Sequence, residues 1–409
     1  MDIDQHRQAC LLPPMEGSPW QLLSREQIMQ AIEIRDYMLG TGRMNPDPDV
    51  TLTALSERIA AGGVPLDRCV TIVRILHAIN TASYRSWERD RGTESFAIPF
   101  ASESDGMYEN SPSALAHAHN QWVGFDPRST SLETFGIVED LLNDGFTYYV
   151  CAPTLMVNGL QNVFTFATKA KDGFRKTELA FLRAIFPALE ACQEILVTHR
   201  ILKEITRTYV GEEPHERILA GDVHRGEVTS CRAAIIFTDM RDFTGLTSKM
   251  TAQQATNLLN EYYDCLVPAI EGNGGEVLKF IGDGVLAMFR VDETAEQACE
   301  GALIAARAGL EAVRQRNEEA SLPFDIGTAL HFGEVAYGNV GSGERLDYTV
   351  IGSDVNLAAR VAGLCGPLNA PLLLSGQFAA GLPGKSFTAQ GEHDLKGLDN
   401  PVPVFSGEL

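Results

Sequence analysis

Two aspartates in the C-terminal half follow short apolar stretches that favour β-strands. Asp239 ends the run AAIIFTD, and Asp283 lies at the Gly-Asp-Gly turn of KFIGDGVLA. Neighbouring strands would bring the two carboxylates together, and carboxylates are the oxygen ligands that Mg²⁺ and Mn²⁺ prefer. Two such ions about 3.5 to 4 Å apart can polarise both the attacking and the leaving oxygen of a phosphoryl displacement. An aspartate in a turn also has a common structural explanation, so the pair alone leaves a turn-forming role open.

A second pair of polar residues, Asn356 and Arg360, lies four positions apart in a segment predicted to be a helix opened by Ser353. Residues at this spacing project from one face of a helix, one turn apart. Arg supplies a permanent charge and several donors to oxygens that gain negative charge, and Asn can donate and accept at a sugar oxygen. Taken alone, such a pair is more often a solvated helix face.

Lys279 and Thr349 carry groups that suit the edge of a purine base. Adenine presents a ring acceptor and an amino donor, which an ammonium donor and a hydroxyl acceptor complement. Guanine offers donors instead, which the ammonium group of Lys279 does not complement. A solvated strand lysine is the structural alternative at this position.

The elements that position these residues are predicted from hydrophobic periodicity. Residues 233–240 form a buried strand, residues 251–275 an amphipathic helix stopped by glycines, and EVLKFIGDGVLAMF a hairpin. A further helix, a strand pair and the helix SDVNLAARVAGL follow. Strands that alternate with helices, with hairpins among them, predict an α+β sandwich of the ferredoxin-like kind.

Four spaced motifs in this half resemble the successive signatures of class III nucleotidyl cyclases. They are FTDMRDFT, KFIGDGVLA, GNVG and YTVIGSDVNLAAR, and the resemblance spans about residues 232 to 406. It implies that Asp239 and Asp283 are metal ligands, with the Met240 carbonyl as a third protein contact. It further implies that Asn356 and Arg360 orient the ribose and stabilise the transition-state phosphate.

The same resemblance bears on the base and on the phosphates. It implies that Lys279 and Thr349 select the base. Many cyclases of this class have Asp at the position of Thr349. A Thr at this position resembles the pattern of a bacterial subgroup that uses ATP. Lys396, in HDLKGLDNPVPVF, is expected to reach the β and γ phosphates, and a surface lysine is the equal alternative. Asp242 is interpreted as structural.

The implied protein is an adenylyl cyclase that converts ATP to 3′,5′-cyclic AMP and pyrophosphate with two Mg²⁺ or Mn²⁺ ions per active site. In the family the aspartates face the Asn and Arg only across a head-to-tail homodimer. A guanylyl cyclase and a non-catalytic nucleotide-binding or dimerisation module are the alternatives. A diguanylate cyclase is disfavoured because FIGDGV lacks the acidic Gly-Gly-Asp-Glu-type turn.

The N-terminal half is predicted to begin with helices at 25–39, 51–61 and 65–79 and to continue with a hairpin around Asn158-Gly159. A long helix with heptad spacing follows, with Thr177 as a plausible N-cap. It resembles the signalling helix that joins sensors to cyclases in this family, and an ordinary core helix is the alternative. This order resembles a GAF-like sensor fold, and RILHAINTASYRSWERD is similar to the N-terminal regions of some bacterial cyclases. The expected organisation is a regulatory domain at 1–176, a signalling helix and linker at 177–230 and a catalytic domain at 231–409.

No input signal follows from the N-terminal half. His117, His119 and Trp87 could touch a ligand or a haem, but a surface histidine pair and a half-buried tryptophan are more common.

Charge and apolar runs limit the partners. The net charge of −21 argues against a nucleic-acid surface, which needs Lys and Arg to neutralise phosphates. The eight cysteines are scattered without metal-binding spacing. The sequence contains no run of about 18 apolar residues, the length that a membrane-spanning helix needs. We therefore expect a cytoplasmic protein with reduced thiols and no nucleic-acid or membrane partner. The signal at its N-terminal domain is unknown.

Overall fold

The computed structural model describes residues 3–100 and 106–407 of the 409-residue chain. The chain divides into two compact units, Met1–Thr208 and Tyr209–Leu409. The division falls inside the segment 177–230 that was predicted as signalling helix and linker, and the predicted domain bounds stay a prediction. Within the part of the chain that the structure describes, no helix has the length and apolarity needed to cross a membrane.

The N-terminal unit contains a six-stranded antiparallel sheet with helices on both faces. Its elements are α1 (Ile3–Ala9), α2 (Arg25–Leu39), α3 (Pro48–Ala61), β1 (Arg68–Arg74), β2 (Asn80–Glu88), β3 (Gly92–Pro99), α4 (Pro112–His119), β4 (Val123–Phe125), α5 (Val138–Asn143), β5 (Tyr148–Leu155), β6 (Gln161–Thr168) and α6 (Lys176–Val210). The strand order is β3-β2-β1-β6-β5-β4. Alternate residues of β5 face opposite cores: Val150 and Ala152 pack with α2, α3 and α6, and Tyr149 and Cys151 pack with α4 and α5.

Helices α2 and α3 confirm the predictions at 25–39 and 51–61. The helix predicted at 65–79 is wrong, because residues 68–74 form β1, the third strand from one edge of the sheet. Apolar residues recur there at helical intervals, but a short apolar run is equally compatible with a buried strand. The β-branched residues from Val70 to Val73 favour the strand, and the sheet provides neighbours on both sides.

The hairpin around Asn158-Gly159 is confirmed: Gly159 adopts a positive φ of 83° between β5 and β6. Helix α6 begins at Lys176, one residue before the expected N-cap Thr177, and contains Pro187. Trp87 is 5% exposed within the helix-covered core, so the half-buried position expected for it is wrong. The GAF-like description of this unit stays a prediction.

The C-terminal unit has an eight-stranded sheet. Its elements are α7 (Glu212–Ala220), β7 (Val228–Met240), α8 (Phe243–Thr247), α9 (Ala252–Glu271), β8 (Glu276–Ile281), β9 (Gly284–Arg290), α10 (Ala295–Glu319), β10 (Ile326–Gly341), β11 (Leu346–Ile351), α11 (Ser353–Leu364), β12 (Leu372–Ser375), α12 (Gly376–Ala380), β13 (Thr388–His393) and β14 (Val402–Ser406). The strand order is β13-β14-β12-β10-β7-β9-β8, and β11 pairs with β10. The succession β7-α9-β8-β9-α10-β10 with the spatial order β10-β7-β9-β8 is the predicted ferredoxin-like arrangement.

Strand β7 is buried on both faces. Ala234 and Ile236 pack against the core formed with α9 and α10, whereas Ala233 and Ile235 pack on the opposite side with β11 and α11. Antiparallel pairing with β9 and β10 fixes the strand along its length. The last residues of β7, a strand between β9 and β10, are therefore held in a defined position where the strand ends.

Candidate active site

The predicted metal ligands come together at the end of β7. Asp239 lies opposite Gly284 in the β7–β9 pairing, and Asp283 occupies the two-residue turn between β8 and β9. The backbone N–H of Met240 donates to the carbonyl oxygen of Asp283 over 3.2 Å. Gly282, the first residue of the turn, has a φ of 62°, which suits a hairpin turn that needs a left-handed first position.

The Asp283 carboxylate is close enough to affect the ionisation of Asp239. Burial, the negative charge of Asp283 and a hydrogen bond with it raise the pKa of Asp239 to about 6, although the Arg241 guanidinium acts in the opposite direction. Two carboxylates that resist simultaneous ionisation form a site that a cation would stabilise.

Two adjacent tyrosines of α9 support this pair of aspartates, and sequence reasoning missed both. Tyr263 donates a hydrogen bond of 2.6 Å to the carbonyl oxygen of Gly282, and its ring centroid lies 4.3 Å from that of Phe280. The Tyr262 side chain is fully buried, and its hydroxyl has no hydrogen-bond partner among the described residues. Burial, with smaller contributions from Asp239 and Asp283, raises the pKa of that hydroxyl. The only sequence signal was the amphipathic helix predicted at 251–275, which does not reveal the neighbours of either tyrosine.

Arg241 crosses the backbone of the neighbouring strand beside the aspartates. Gly327 is the partner of Asp239 in the β7–β10 pairing, and a Cβ added at Gly327 would overlap the Arg241 guanidinium. The backbone N–H of Arg241 also donates to the Asp325 carbonyl oxygen over 2.7 Å. A glycine at position 327 is therefore required for Arg241 to lie where it opposes the negative charge of Asp239.

The predicted base-selecting residues form a second group. The Lys279 ammonium makes an ion pair with the carboxylate of Asp347 on β11. Thr349, 8% exposed, follows two residues later on the same strand, so Asp347 and Thr349 project from one side of β11. Asp347 was missed by sequence reasoning, because its partner is 68 positions away in the chain.

Asn356, Arg360 and Lys396 form a third group. The apolar face of α11, which includes Leu357 and Val361, packs into the sheet, whereas Asn356 is exposed and Arg360 is partly exposed. A guanidinium nitrogen of Arg360 lies 3.5 Å from the position that a Cβ on Gly397 would take. Lys396, which is exposed and precedes Gly397, therefore lies on a turn that contacts Arg360.

The three groups differ in how they are connected within one chain. Lys279 lies in β8, the first strand of the hairpin whose turn carries Asp283. Among the described residues, no hydrogen bond or ion pair joins Asp239 or Asp283 to Asn356 or Arg360. One chain thus presents an aspartate pair and, separately, a polar face of α11.

The end of β7 and the adjacent hairpin turn offer oxygen donors to a divalent cation. No group of three or more His, Cys, Asp or Glu side chains suited to a metal ion occurs in the described ranges 3–100 and 106–407. Mg²⁺ is usually held by one or two carboxylates, with waters and substrate phosphates completing the shell. The two aspartates and the adjacent Met240 backbone fit that pattern, since their oxygen donors suit a hard cation.

Residues interpreted as structural also have defined surroundings. Asp242 adopts a φ of 51°, a left-handed conformation that Asp tolerates, directly before α8. In the N-terminal unit, the His117 ring accepts or donates at the Tyr108 hydroxyl (2.9 Å) and the Asn162 carbonyl oxygen (3.1 Å). His117 is therefore half-buried, while His119 is exposed.

Comparison with known proteins defines the class of this unit. Residues 228–403 match the family of the adenylate and guanylate cyclase catalytic domain. The C-terminal unit is therefore a class III nucleotidyl cyclase domain, with the sheet order and the strand-end aspartates described above.

The related proteins include several adenylate cyclases. Adenylate cyclase 1 of Rhizobium meliloti (strain 1021) is 35% identical over 161 residues, 38% of this chain and 23% of that protein. The adenylate cyclase of Anabaena cylindrica is 33% identical over 151 residues, 35% of this chain and 29% of that protein. The chain thus spans about a quarter of the length of these curated relatives. Among solved structures, the adenylyl cyclase CyaB from P. aeruginosa is 27% identical, with 44% of this chain and 95% of that chain covered and a TM-score of 0.40.

Proposed function

We propose that the protein is an adenylyl cyclase that converts ATP to 3′,5′-cyclic AMP and pyrophosphate. The observation that carries this proposal is the pair formed by Asp239 and Asp283, whose proximity and burial raise the pKa of Asp239 to about 6. Two carboxylates this close repel each other when both are charged, and the pair suits the divalent cations on which phosphoryl transfer depends. Similarity to adenylate cyclases over 35% to 38% of this chain supports the choice of reaction.

The aspartates and the Met240 carbonyl would hold two Mg²⁺ or Mn²⁺ ions. When bound, these ions would polarise the attacking 3′-oxygen and the leaving pyrophosphate oxygen. Arg360 would donate to the α-phosphate oxygens as negative charge grows during attack, and Asn356 would fix the ribose so that the 3′-hydroxyl faces the phosphorus. Lys396, next to the turn that touches Arg360, would bind the β and γ phosphates.

The choice of ATP over GTP rests on Lys279 and Thr349. The Asp347 carboxylate holds the Lys279 ammonium beside the strand that carries Thr349, which supports a joint role at the base. An ammonium donor directed at a ring acceptor matches adenine, whereas guanine has a donor at that position. The ion pair also limits the conformers of a flexible side chain before the base arrives.

We further propose that the active enzyme is a C₂ homodimer with two composite sites. Each site would take Asp239, Met240 and Asp283 from one subunit and the α11 and base-selecting residues from the other. The absence of bonds between these two groups within the described residues of one chain supports this arrangement. Because α6 runs without interruption to Val210, the N-terminal unit would regulate turnover through that helix.

The test is an assay of purified full-length protein with ATP or GTP and with Mg²⁺ or Mn²⁺, with products separated by chromatography. We expect cyclic AMP from ATP, and its loss in Asp239→Asn and Asp283→Asn with an unchanged circular dichroism spectrum. Asp242→Asn is the matched control, because it removes a nearby carboxylate that lies against Gly245 and keeps a residue tolerated at positive φ. Cyclic GMP as the main product would contradict the substrate, and equal losses in all three variants would contradict the metal assignment.

A further inference from the structure

The N-terminal unit contains a small cavity between the sheet and helices α2, α3 and α6. Its volume is about 80 Å³. Most of the wall is apolar and comes from five elements, through Met38, Leu52, Leu55, Val73, Phe164 and Val197. Helix α6 contributes one side of the cavity, and β1, β2 and β6 contribute the floor.

Two arginines reach this apolar cavity from opposite elements. Arg85 comes from β2 and Arg200 from α6. Burial lowers the pKa of Arg85, and the charge of Arg200 lowers it further. The Asp49 carboxylate lies 3.0 Å from the Nε of Arg85, while its other oxygen accepts a hydrogen bond from Ser95.

The charge of the cavity is therefore not balanced by its own walls. Asp49 is paired with Arg85, and Asp47 acts on Arg85 only as the smallest contribution. None of the described side chains that line the cavity is acidic. Like charges at a weakly solvated site repel, so an anion between Arg85 and Arg200 would be stabilised by both.

A buried hydrogen-bond donor without a partner also indicates that the cavity suits an anion. Gln193 is 7% exposed and lines the cavity, and its Oε1 accepts a hydrogen bond of 2.6 Å from the Thr154 hydroxyl. Its Nε2 has no hydrogen-bond partner among the described residues. A buried donor without a partner is costly, and an acceptor in the cavity would remove that cost.

We propose that this cavity binds a short-chain monocarboxylate, with the carboxylate between Arg200, Arg85 and the Gln193 amide and the alkyl chain against the apolar wall. A volume of about 80 Å³ holds roughly five to eight non-hydrogen atoms if each needs about the space of one water-sized probe. That range fits butanoate and excludes a nucleotide. A single negative charge matches the one guanidinium that Asp49 leaves unbalanced.

Isothermal titration calorimetry of the full-length protein with sodium butanoate tests the proposal, with butanamide as a ligand of equal size and no charge. We expect one butanoate per chain with a Kd of about 1 mM or tighter, and binding of butanamide at least about tenfold weaker. Equal binding of the two compounds would overturn the role of charge. No saturable binding of butanoate at concentrations about tenfold above this Kd would overturn the proposal itself.

Two variants locate the site. Arg200→Met keeps the apolar stem and removes the charge, and Lys203→Met is its control, since Lys203 is an exposed cation on the same helix that does not line the cavity. Gln193→Glu keeps the acceptor for Thr154 and replaces the unpaired donor by a negative oxygen. We expect Arg200→Met and Gln193→Glu to weaken butanoate binding at least about tenfold and Lys203→Met to leave it unchanged. Unweakened binding in both cavity variants, or an equal loss in Lys203→Met, would refute this site.

Discussion

The hydroxyl of Tyr263 donates a hydrogen bond of 2.6 Å to the carbonyl oxygen of Gly282, the residue that precedes Asp283. The bond joins α9 to the hairpin turn and so limits the positions that the Asp283 carboxylate can take. Tyr263 is not among the residues predicted to bind substrate. Its expected role is therefore to position Asp283, a predicted metal ligand.

Tyr263→Phe should therefore weaken Mn²⁺ binding several-fold without unfolding the protein. One neutral hydrogen bond contributes about 1 kcal/mol, which corresponds to roughly a fivefold change in affinity. Mn²⁺ binding is measured by electron paramagnetic resonance. Tyr84→Phe, which removes a hydroxyl from a ring stacked on Phe96 in the N-terminal unit, is the control. Unchanged Mn²⁺ affinity in Tyr263→Phe would show that the turn holds its shape without this bond.

Lys279→Glu should lower kcat/KM for ATP far more than it lowers stability. The substitution removes a base-edge donor and places a carboxylate beside Asp347 on a partly exposed wall. Lys385→Glu is the matched control, since Lys385 also forms a partly exposed ion pair, with Glu300. Steady-state kinetics with ATP and GTP provides the measurement. If Lys279→Glu retains the wild-type preference for ATP, then Lys279 does not select the base.

Mixing two inactive variants tests the composite site. Asp239→Ala and Arg360→Ala proteins, each inactive alone, should regain activity when their subunits exchange. In a mixed dimer one site collects both changes and the other collects none. Random pairing makes half of the dimers mixed with one of two sites intact, so about a quarter of wild-type cyclic AMP production should return. If exchange is demonstrated by mass spectrometry and the mixture stays inactive, the simple composite-site arrangement fails.

Glu276, at the start of β8, should make stability depend on pH. Burial raises its pKa from an ordinary value of 4.5 to about 7; the hydrogen bond from Tyr337 opposes this shift and the Glu213 carboxylate adds to it. The native protein thus keeps a proton that the unfolded chain releases above pH 4.5. The free energy of unfolding should therefore fall as pH rises from about 4.5 to about 7.

Glu276→Gln keeps an acceptor for Tyr337 and should remove this pH dependence. At pH 8 it should raise the free energy of unfolding on the order of 1 kcal/mol, a value reduced for partial solvent screening. Scanning calorimetry between pH 4 and pH 8 provides the measurement, with Glu334→Gln, an exposed change on β10, as the control. A variant whose transition keeps the wild-type pH dependence would place the titrating group elsewhere.

The positions of site residues could be predicted from the sequence where local signals specify them. A strand end and a Gly-Asp-Gly turn place Asp239 and Asp283, and pairing of β7 with β9 is the simplest way to join them. Long-range partners were missed, because nothing near Lys279 in the chain indicates Asp347. The close approach of Arg241 to Gly327 was missed for the same reason.

The error at β1 has a different cause. Within the segment 65–79, residues 68–73 are buried or half-buried on both faces of the strand, so their periodicity does not distinguish a helix from a strand. Only the neighbouring strands β2 and β6 decide its conformation; both follow β1 in the chain, and the pairing with β6 spans a separation that local patterns do not reveal.

The hairpin of β8 and β9 carries Lys279 and Asp283 only four residues apart. In the proposed homodimer these two residues serve opposite sites, so a base bound in one site contacts the same hairpin that presents the metal ligand of the other. Occupancy of one site would then be felt at the second through a few backbone bonds rather than across the whole interface. The two sites of such a dimer would communicate, and a Hill coefficient for ATP that differs from one would be the direct sign of it.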